Sequence, residues 1–511
     1  MNTNIVAILE ENAREFPGKT AIVHGKNRIT YGELLRNVRR RAAGISAKGI
    51  GKGDGVLIVV PMSIPLYEIL IALFHVGAVA VFVDAWGNRE RLEMAGKVFP
   101  MKAFVGVGAA HLIRLISPAL RAIPIKLGAK LPRSWKKEQA VHTEVMADDP
   151  ALITFTTGST GTPRGANRTH GFLLSQYHAL RNHLSPRPED IDMPTLPIFP
   201  LCNLAVGSTT VLPDINFSHM AEFPPHKVTR NIIDNNVSTA SGSPAFFMRL
   251  GKHLTEKKIA VPTLECVFVG GAPIFPRTAR ELIEAFPNTS VHIVYGSTEA
   301  EPVSGIPAEE LLQLPETSGD TGLCVGYPVE DIRIHILPID KQVEESTSPV
   351  KGEICVAGQH VLKNYAGDPA EQEGKFIEQD GERWLRTGDA GYLDEHGRLY
   401  LLGRVKNSWK EEGKRMFTMP VELALNDVKG VETGTVFRAN DETIIAVQSR
   451  VDEFKISGRV AGKLNERGLP YTKIVILKSI PRDPRHASKI DYEQLRTQIL
   501  LHPEAPESRT I

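Results

Sequence analysis

Two hydrophobic rhythms alternate along most of the chain: short, nearly unbroken apolar bursts, and longer stretches whose apolar residues recur three and four positions apart. The first rhythm predicts buried strands and the second amphipathic helices. Thr30-x-x-Glu33 has the form of a capping box, so a helix is expected to start there, carrying Leu34, Leu35, Val38 and Ile45 on one side until the glycine-rich turn at 49–55. A strand over 56–60, a helix over 65–76, a strand over 78–83 and a helix over 88–98 continue the series. This β-α-β-α succession is how parallel strands with crossover helices read. Further strands are expected over 151–155, 209–212, 266–269 and 292–294. The last three meet Gly or Pro within two residues of their ends, and strand ends in open α/β sheets converge on one ligand crevice. Beyond about residue 302 short β-type runs take over, at 331–336, 352–356 and 398–402, with a hairpin turn at 394–397. A separate unit closes the chain, with strands over 433–437 and 443–447 and a helix over 454–467.

One segment interrupts this pattern with chemistry. Directly behind the apolar run 151–155 stand Thr156-Thr157-Gly158-Ser159-Thr160-Gly161-Thr162-Pro163-Arg164-Gly165. Glycines let the backbone curl its N–H groups around an anion, hydroxyls add donors without bulk, and Arg164 adds a cation. The P-loop pattern G-x-x-x-x-G-K-[ST] needs Gly where Pro163 stands, so the ordinary nucleoside triphosphatase reading fails on spacing. A phosphate-holding loop is the working reading, with a polar surface loop as the alternative.

Length and composition narrow the partners. A chain of 511 residues, 42% hydrophobic and 23% charged, has material for two to four globular domains or subdomains. Its net charge of +1 leaves no electrostatic footprint for nucleic acid. There is no apolar run of membrane-spanning length, and a cytoplasmic location is expected. Cys202, Cys266, Cys324 and Cys355 are widely spaced, without a C-x-x-C pair, and read as reduced core residues.

Three further constellations stand out. Tyr295-Gly296-Ser297-Thr298-Glu299 follows a strand and combines a ring able to stack on adenine with a carboxylate able to hold a hard cation, although a turn with a solvated Glu has the same letters. Arg386-Thr387-Gly388-Asp389 puts a carboxylate on a glycine turn, suited to accept both hydroxyls of a ribose, and Arg404 follows the next hairpin, where it could reach ribose or phosphate or simply be solvated. Near the end, Arg482-Asp483-Pro484-Arg485-His486-Ala487-Ser488-Lys489-Ile490 carries four potential cations in a stretch that Pro keeps from being helical.

In this order these segments closely resemble the adenylate-forming superfamily of acyl-CoA synthetases, firefly-type luciferases and peptide-synthetase adenylation domains. The resemblance also takes in Thr30-Tyr31-Gly32-Glu33-Leu34, Gly270-Gly271-Ala272-Pro273, Gly322-x-x-x-Gly326-x-Pro328 and Gly403-Arg404, and so spans nearly the whole chain. It implies an α/β fold: a large N-terminal AMP-binding domain, 1–403, of layered α/β subdomains plus a β-barrel-like subdomain, and a small mobile α+β lid, 404–511, hinged near Lys406. By position, Thr156, Thr157, Gly158, Ser159, Thr160, Gly161 and Arg164 would hold the β- and γ-phosphates of ATP. Gly271, Ala272, Pro273, Gly296, Ser297 and Thr298 would also bind the nucleotide, with Tyr295 the ring on adenine, Asp389 and Arg404 on the ribose side, and Glu299 the ligand to Mg²⁺. Lys489 would bridge the acid carboxylate and the α-phosphate.

Within the superfamily the chain looks most like the bacterial β-lactone-forming ligases of olefin biosynthesis, which activate β-hydroxy acids. Gly242-Ser243-Pro244-Ala245, Val211-Leu212-Pro213-Asp214, Pro302-Val303 and Arg485-His486 carry that likeness. It implies a small carboxylic acid substrate, neighbouring biosynthetic enzymes as partners, and His486 as a base for ring closure. Three positions depart from the wider pattern: Arg164 replaces a lysine, Pro200 stands where many CoA ligases carry a gating His, and Ser488 replaces the glycine before Lys489. Transfer to CoA is the alternative second step, and an adenylate-binding member without catalysis the alternative to both. Phe199, Phe246, Phe247 and Met248 are candidates for an acyl tunnel or for plain core.

Overall fold

The computed structural model describes residues 4–83, 89–132, 134–135, 143–157, 163–216, 222–315, 320–340, 349–367, 372–482 and 489–501. Among these, the strands of the large domain assemble into two sheets. The smaller has seven strands, in the order Tyr365–Ala366, Pro163–Thr169, Pro150–Thr157, Val79–Phe82, Gly55–Val59, Met101–Gly106 and Ile125–Gly128. Its last five strands are parallel, and the hairpin that carries the phosphate-loop segment adds the antiparallel edge.

The larger sheet has fourteen strands. Its parallel part runs Ser290–Ser297, Cys266–Gly270, Thr239–Gly242, Ile191–Pro194, Thr209–Leu212 and Thr20–His24. The chain then reverses at Ser297–Ala300, and from Ala300–Pro307 onward the sheet continues as an antiparallel arm through Leu323–Pro328, Leu399–Arg404, Glu382–Leu393, Gly352–Ala357 and Arg333–Pro338. The expected β-type subdomain is therefore an extension of the parallel sheet. It keeps an apolar cluster of its own, which includes Val303, Ile354, Val356, Leu385 and Leu401.

Helix placement follows the sequence pattern closely. Thr30 caps the helix Tyr31–Ala47: its hydroxyl accepts from the Glu33 N–H at 3.2 Å, and the Glu33 carboxylate accepts from the Thr30 N–H at 2.9 Å. That helix packs on Ile64–His75 through a buried ion pair. Arg41 donates twice to one oxygen of Glu68, at 2.9 and 2.7 Å, and Asn37 donates to the other at 2.7 Å. The candidate tunnel residues Phe246 and Phe247 belong to the core. Phe247 stands edge-on to Phe246 and to Phe286, and Phe223 lies on the far side of Phe246.

The small C-terminal domain is α+β. Val431–Ala439, Glu442–Ser449 and Lys473–Leu477 form a three-stranded sheet. Thr418–Asn426 and Glu453–Glu466 cover one face, while Tyr492–Leu501 brings Leu495 against Phe437, Ile444 and Val475 on the other. The hairpin Trp409–Glu411 and Lys414–Met416 meets the large domain at Asp340, whose two oxygens accept from Arg415 at 2.8 Å each, with Lys410 at 3.1 Å.

Because Arg41 and Glu68 are almost fully buried, deleting one partner strands a charge. Glu68→Ala is expected to cost about 3–5 kcal/mol of stability, while the double change Arg41→Met with Glu68→Leu recovers most of it. Denaturant unfolding of the three proteins measures both.

Candidate active site

The strand Pro150–Thr157 returns as Pro163–Thr169, with Thr156 opposite Arg164 and Thr157 opposite Pro163. Gly158, Ser159, Thr160 and Gly161 lie outside the described residues. Tyr365, on the neighbouring edge strand, lies opposite Ala166, and the Arg164 guanidinium carbon stands 6.0 Å from its ring centroid, at the limit of cation–π attraction. The Tyr365 hydroxyl donates to Glu299 Oε1 at 3.2 Å. Burial and the Glu299 carboxylate push the Tyr365 phenol above its usual pKa, so it remains a donor at neutral pH. One tyrosine thus joins the loop's cation to the candidate metal ligand.

Glu299 sits in the reversal between Ser290–Ser297 and Ala300–Pro307. Gly296 makes that reversal possible: a Cβ there would lie 3.0 Å from the Ala300 carbonyl oxygen and 3.2 Å from the Glu301 Cα. The Glu299 N–H donates to Ser297 Oγ at 3.3 Å, and its carbonyl accepts from the Leu362 N–H at 2.8 Å. Arg168, only 5% exposed, donates to the Thr298 carbonyl at 3.0 Å. Burial lowers the Arg168 pKa while Glu301 and Glu299 raise it, and burial raises the Glu301 carboxyl against the pull of Arg168. Gly271 leaves the strand Cys266–Gly270 beside Tyr295, because Gly270 pairs with Val294, and Ala272 and Pro273 follow it out of the sheet.

The ribose-side candidates form one network. Asp389 lies opposite Arg404 in the antiparallel arm. The Tyr295 hydroxyl donates to Asp389 Oδ2 at 2.8 Å, and Arg404 Nε stands 3.1 Å from Oδ1. Arg404 Nη1 also donates to the Thr387 carbonyl at 3.1 Å, while Thr387 Oγ1 accepts from the Asp389 N–H at 3.0 Å and donates to the Ile354 carbonyl at 2.8 Å. Asp389, first among its causes, raises the Arg404 pKa, and burial lifts the Tyr295 phenol well above its usual value.

Tyr295, Glu299, Asp389, Arg404 and Arg164 are thereby brought to one place. Lys489 is exposed on the small domain, one residue before the Ile490–Arg482 bridge, and His486 lies outside the described residues. The sequence reading missed Arg168, Tyr365 and the anchoring role of Thr387. Arg168 carried a weak signal, as a charge inside a strand run four residues after Arg164. Tyr365 carried none, since its role depends on pairing with a strand about two hundred positions earlier.

Among the described residues, no group of three or more His, Cys, Asp or Glu could hold a metal by itself. This donor set fits Mg²⁺, which takes one or two carboxylates together with substrate phosphates and retained waters; half-buried Glu299 is the candidate for one such carboxylate. Between the helices Val6–Glu15, Ile64–His75, His170–Leu184 and Phe199–Val206 is an apolar cavity of about 70 Å³, lined by Ile5, Leu9, Phe74, Leu173, Leu201 and Gln176 among others. Gln176 Nε2 donates to the Glu301 carbonyl at 3.4 Å. Among the described residues no helix is long and apolar enough to cross a membrane.

A large α/β domain with this crevice and a small α+β domain define an adenylate-forming ligase, an enzyme that activates acids. The chain belongs to the family of AMP-binding enzymes, whose profile matches residues 9–366. It is 29% identical over 543 residues to the olefin beta-lactone synthetase of Stenotrophomonas maltophilia (strain K279a), covering 96% of this chain and 97% of that one. The D-alanine–D-alanyl carrier protein ligase of Bacillus cereus (strain G9842) is 26% identical, covering 97% and 99%. In fold, ATP-bound MatB from Rhodopseudomonas palustris matches with a TM-score of 0.82 at 22% identity, covering 98% of this chain and 99% of that one.

Asp389→Ala removes the acceptor shared by Tyr295 and Arg404. AMP binding, read by calorimetry, is expected to weaken about 10- to 100-fold, the scale of losing hydrogen bonds to a charged group. An unchanged Kd would make Asp389 a purely structural residue.

Proposed function

We propose that the enzyme uses ATP and Mg²⁺ to convert a β-hydroxy fatty acid into its acyl-adenylate, and then closes that intermediate to a β-lactone with release of AMP. The observation that carries the adenylation half is the cluster in which Tyr295 and Arg404 share the Asp389 carboxylate while Tyr365 holds Glu299. Full-length similarity to the olefin beta-lactone synthetase, and Pro200 at the position of a gating His, favour ring closure over transfer to CoA. A fatty acyl-CoA synthetase is the second reading, and a cytoplasmic site of action fits the use of ATP.

In the first step a carboxylate oxygen attacks the α-phosphorus and pyrophosphate leaves. Magnesium, when bound, neutralises charge on the phosphate oxygens. Arg164 and the hydroxyl loop hold the β- and γ-phosphates, Tyr295 stacks on the adenine, and Asp389 and Arg404 orient the ribose. The small domain acts as a lid beginning at residue 404 and hinged at Lys406, and it delivers the Lys489 ammonium to the oxyanion charge that develops during attack. In the second step the substrate's own hydroxyl oxygen bonds to the acyl carbon, the bond to AMP breaks and the hydroxyl proton is lost to a base, with His486 the candidate. Holding hydroxyl and acyl carbon together makes this step intramolecular, so no thiol need enter.

Lys489→Ala is expected to slow pyrophosphate release about 10²- to 10³-fold while leaving ATP binding intact. A near wild-type rate would remove Lys489 from the chemistry. Supplied with β-hydroxy acid and ATP, the enzyme should give a product lighter than the acid by one water, with or without CoA. Strict CoA dependence with a thioester product would establish the second reading instead.

A further inference from the structure

We propose that the outer helical layer of the smaller sheet docks on an anionic lipid surface, a peripheral contact separate from the nucleotide crevice. The helices Arg89–Val98, Gly108–Ile116 and Pro118–Ala122 cover one face of that sheet and share a core through Ala95, Ala110, Leu120 and the strand residue Phe104. In the second of these helices Ala110 and Ile113 pack into that core, whereas Leu112 and Leu115 are 67% and 54% exposed. Two leucines three positions apart on the outward side of a helix make an apolar ridge. Charge decides what covers it. From Met94 to Pro132 there are six Lys and Arg and no Asp or Glu, in a chain whose net charge is only +1. Lys97, Arg121, Lys126 and Lys130 are exposed. Lys126 lies opposite Phe104 in the parallel edge of the sheet, which puts it on the same side as the three helices. An apolar ridge beside an acid-free cationic field has the make-up of an interfacial helix, whose leucines enter the headgroup boundary while its cations meet anionic headgroups. A folded acidic partner would have to offer a hollow that matches the ridge, whereas lipid closes around a convex apolar surface. In the sheet, Val79–Phe82 and Gly55–Val59 separate Met101–Gly106 and Ile125–Gly128 from the phosphate hairpin, so the contact lies away from the crevice. It does not depend on which acid is activated.

The test is flotation of the full chain with vesicles of phosphatidylcholine mixed with phosphatidylglycerol, and with vesicles of phosphatidylcholine alone. The protein is expected to float with the mixed vesicles, to stay behind with the neutral ones, and to be released by high salt, which screens exposed charge. Each Lys or Arg near an anionic leaflet strengthens binding about 5-fold, so Arg121→Glu with Lys126→Glu should weaken it about 25-fold or more. Leu112→Ser with Leu115→Ser should weaken it about 10-fold. All four side chains are exposed, so both double variants should release pyrophosphate from a water-soluble acid at the wild-type rate, which shows that they fold. No binding to the mixed vesicles overturns the proposal, and so does binding that either double variant leaves unchanged. An acidic protein captured through the same four residues, without vesicle binding, would give the face to a protein and overturn it too. None of these outcomes touches the reaction assigned above, which is read from the products formed without vesicles.

Discussion

The carboxylate of Asp389 is the contact on which the site depends. It lies where three parts of the chain meet: the end of the parallel sheet at Tyr295, the antiparallel arm that carries Asp389 itself, and Arg404 at the last position of the strand leading to the small domain. A carboxylate with a phenol on one oxygen and a guanidinium on the other is held in one orientation, and it holds both partners in turn. Thr387 fixes the turn beneath it by bonding the Asp389 N–H and the Ile354 carbonyl, so the acceptor geometry is set by the sheet and does not rely on side-chain rotamers alone. Displacing any one strand would therefore disturb the adenine-side ring, the carboxylate and the approach to the lid together.

Beneath that network the two large sheets are joined by buried charge. Arg168 comes from the returning rail of the phosphate hairpin in one sheet and bonds the Thr298 carbonyl in the other, with Glu299 and Glu301 near enough to raise its pKa against burial. An isolated guanidinium would be costly at this depth, and the two neighbouring carboxylates make it tolerable. The same contact that joins the sheets sets the backbone of the segment carrying Glu299. Architecture and site are thus coupled through one side chain.

Much of this was legible in the sequence, and the unreadable part has a common cause. Hydrophobic period and caps located the helix Tyr31–Ala47, the parallel strands and the C-terminal α+β unit, because each is a local property of ten to twenty residues. The motif residues Tyr295, Asp389 and Arg404 were likewise visible, since a turn glycine beside a functional side chain is a short-range signal. The contact of Tyr295 with Asp389 was not, because it joins positions 94 residues apart. Tyr365 and Arg168 escaped for the same reason. Phe246 and Phe247 illustrate the opposite limit: an aromatic pair after a strand end fits a ligand wall or a core equally well, and only the edge-on packing of Phe247 with Phe246 and Phe286 assigns them to the core.

The joint between the domains sets a bound on the proposed lid motion. Gly403 has φ +119°, and a Cβ there would stand 2.5 Å from Thr418 Oγ1, so the chain turns sharply against the first helix of the small domain. Among the contacts of the described residues that hold this arrangement, two bear on its mobility. Arg415 and Lys410 grip Asp340, and Arg415 pulls that carboxyl well below the usual range, yet the pair lies near the surface, where such bridges are worth little. Phe417, 8% exposed, packs with Tyr392, Tyr400 and Leu402 of the large domain. A rotation about Lys406 that withdrew this ring would cost about 1.5–3 kcal/mol for its exposure. That contribution alone is comparable to the gap between conformers of which the minor one is populated at about 0.1–10%. The first helix of the small domain also packs on the strand Leu399–Arg404, with Thr418 and Met419 buried, so the proposed rotation would have to turn about that contact as well as release the ring and the ion pair.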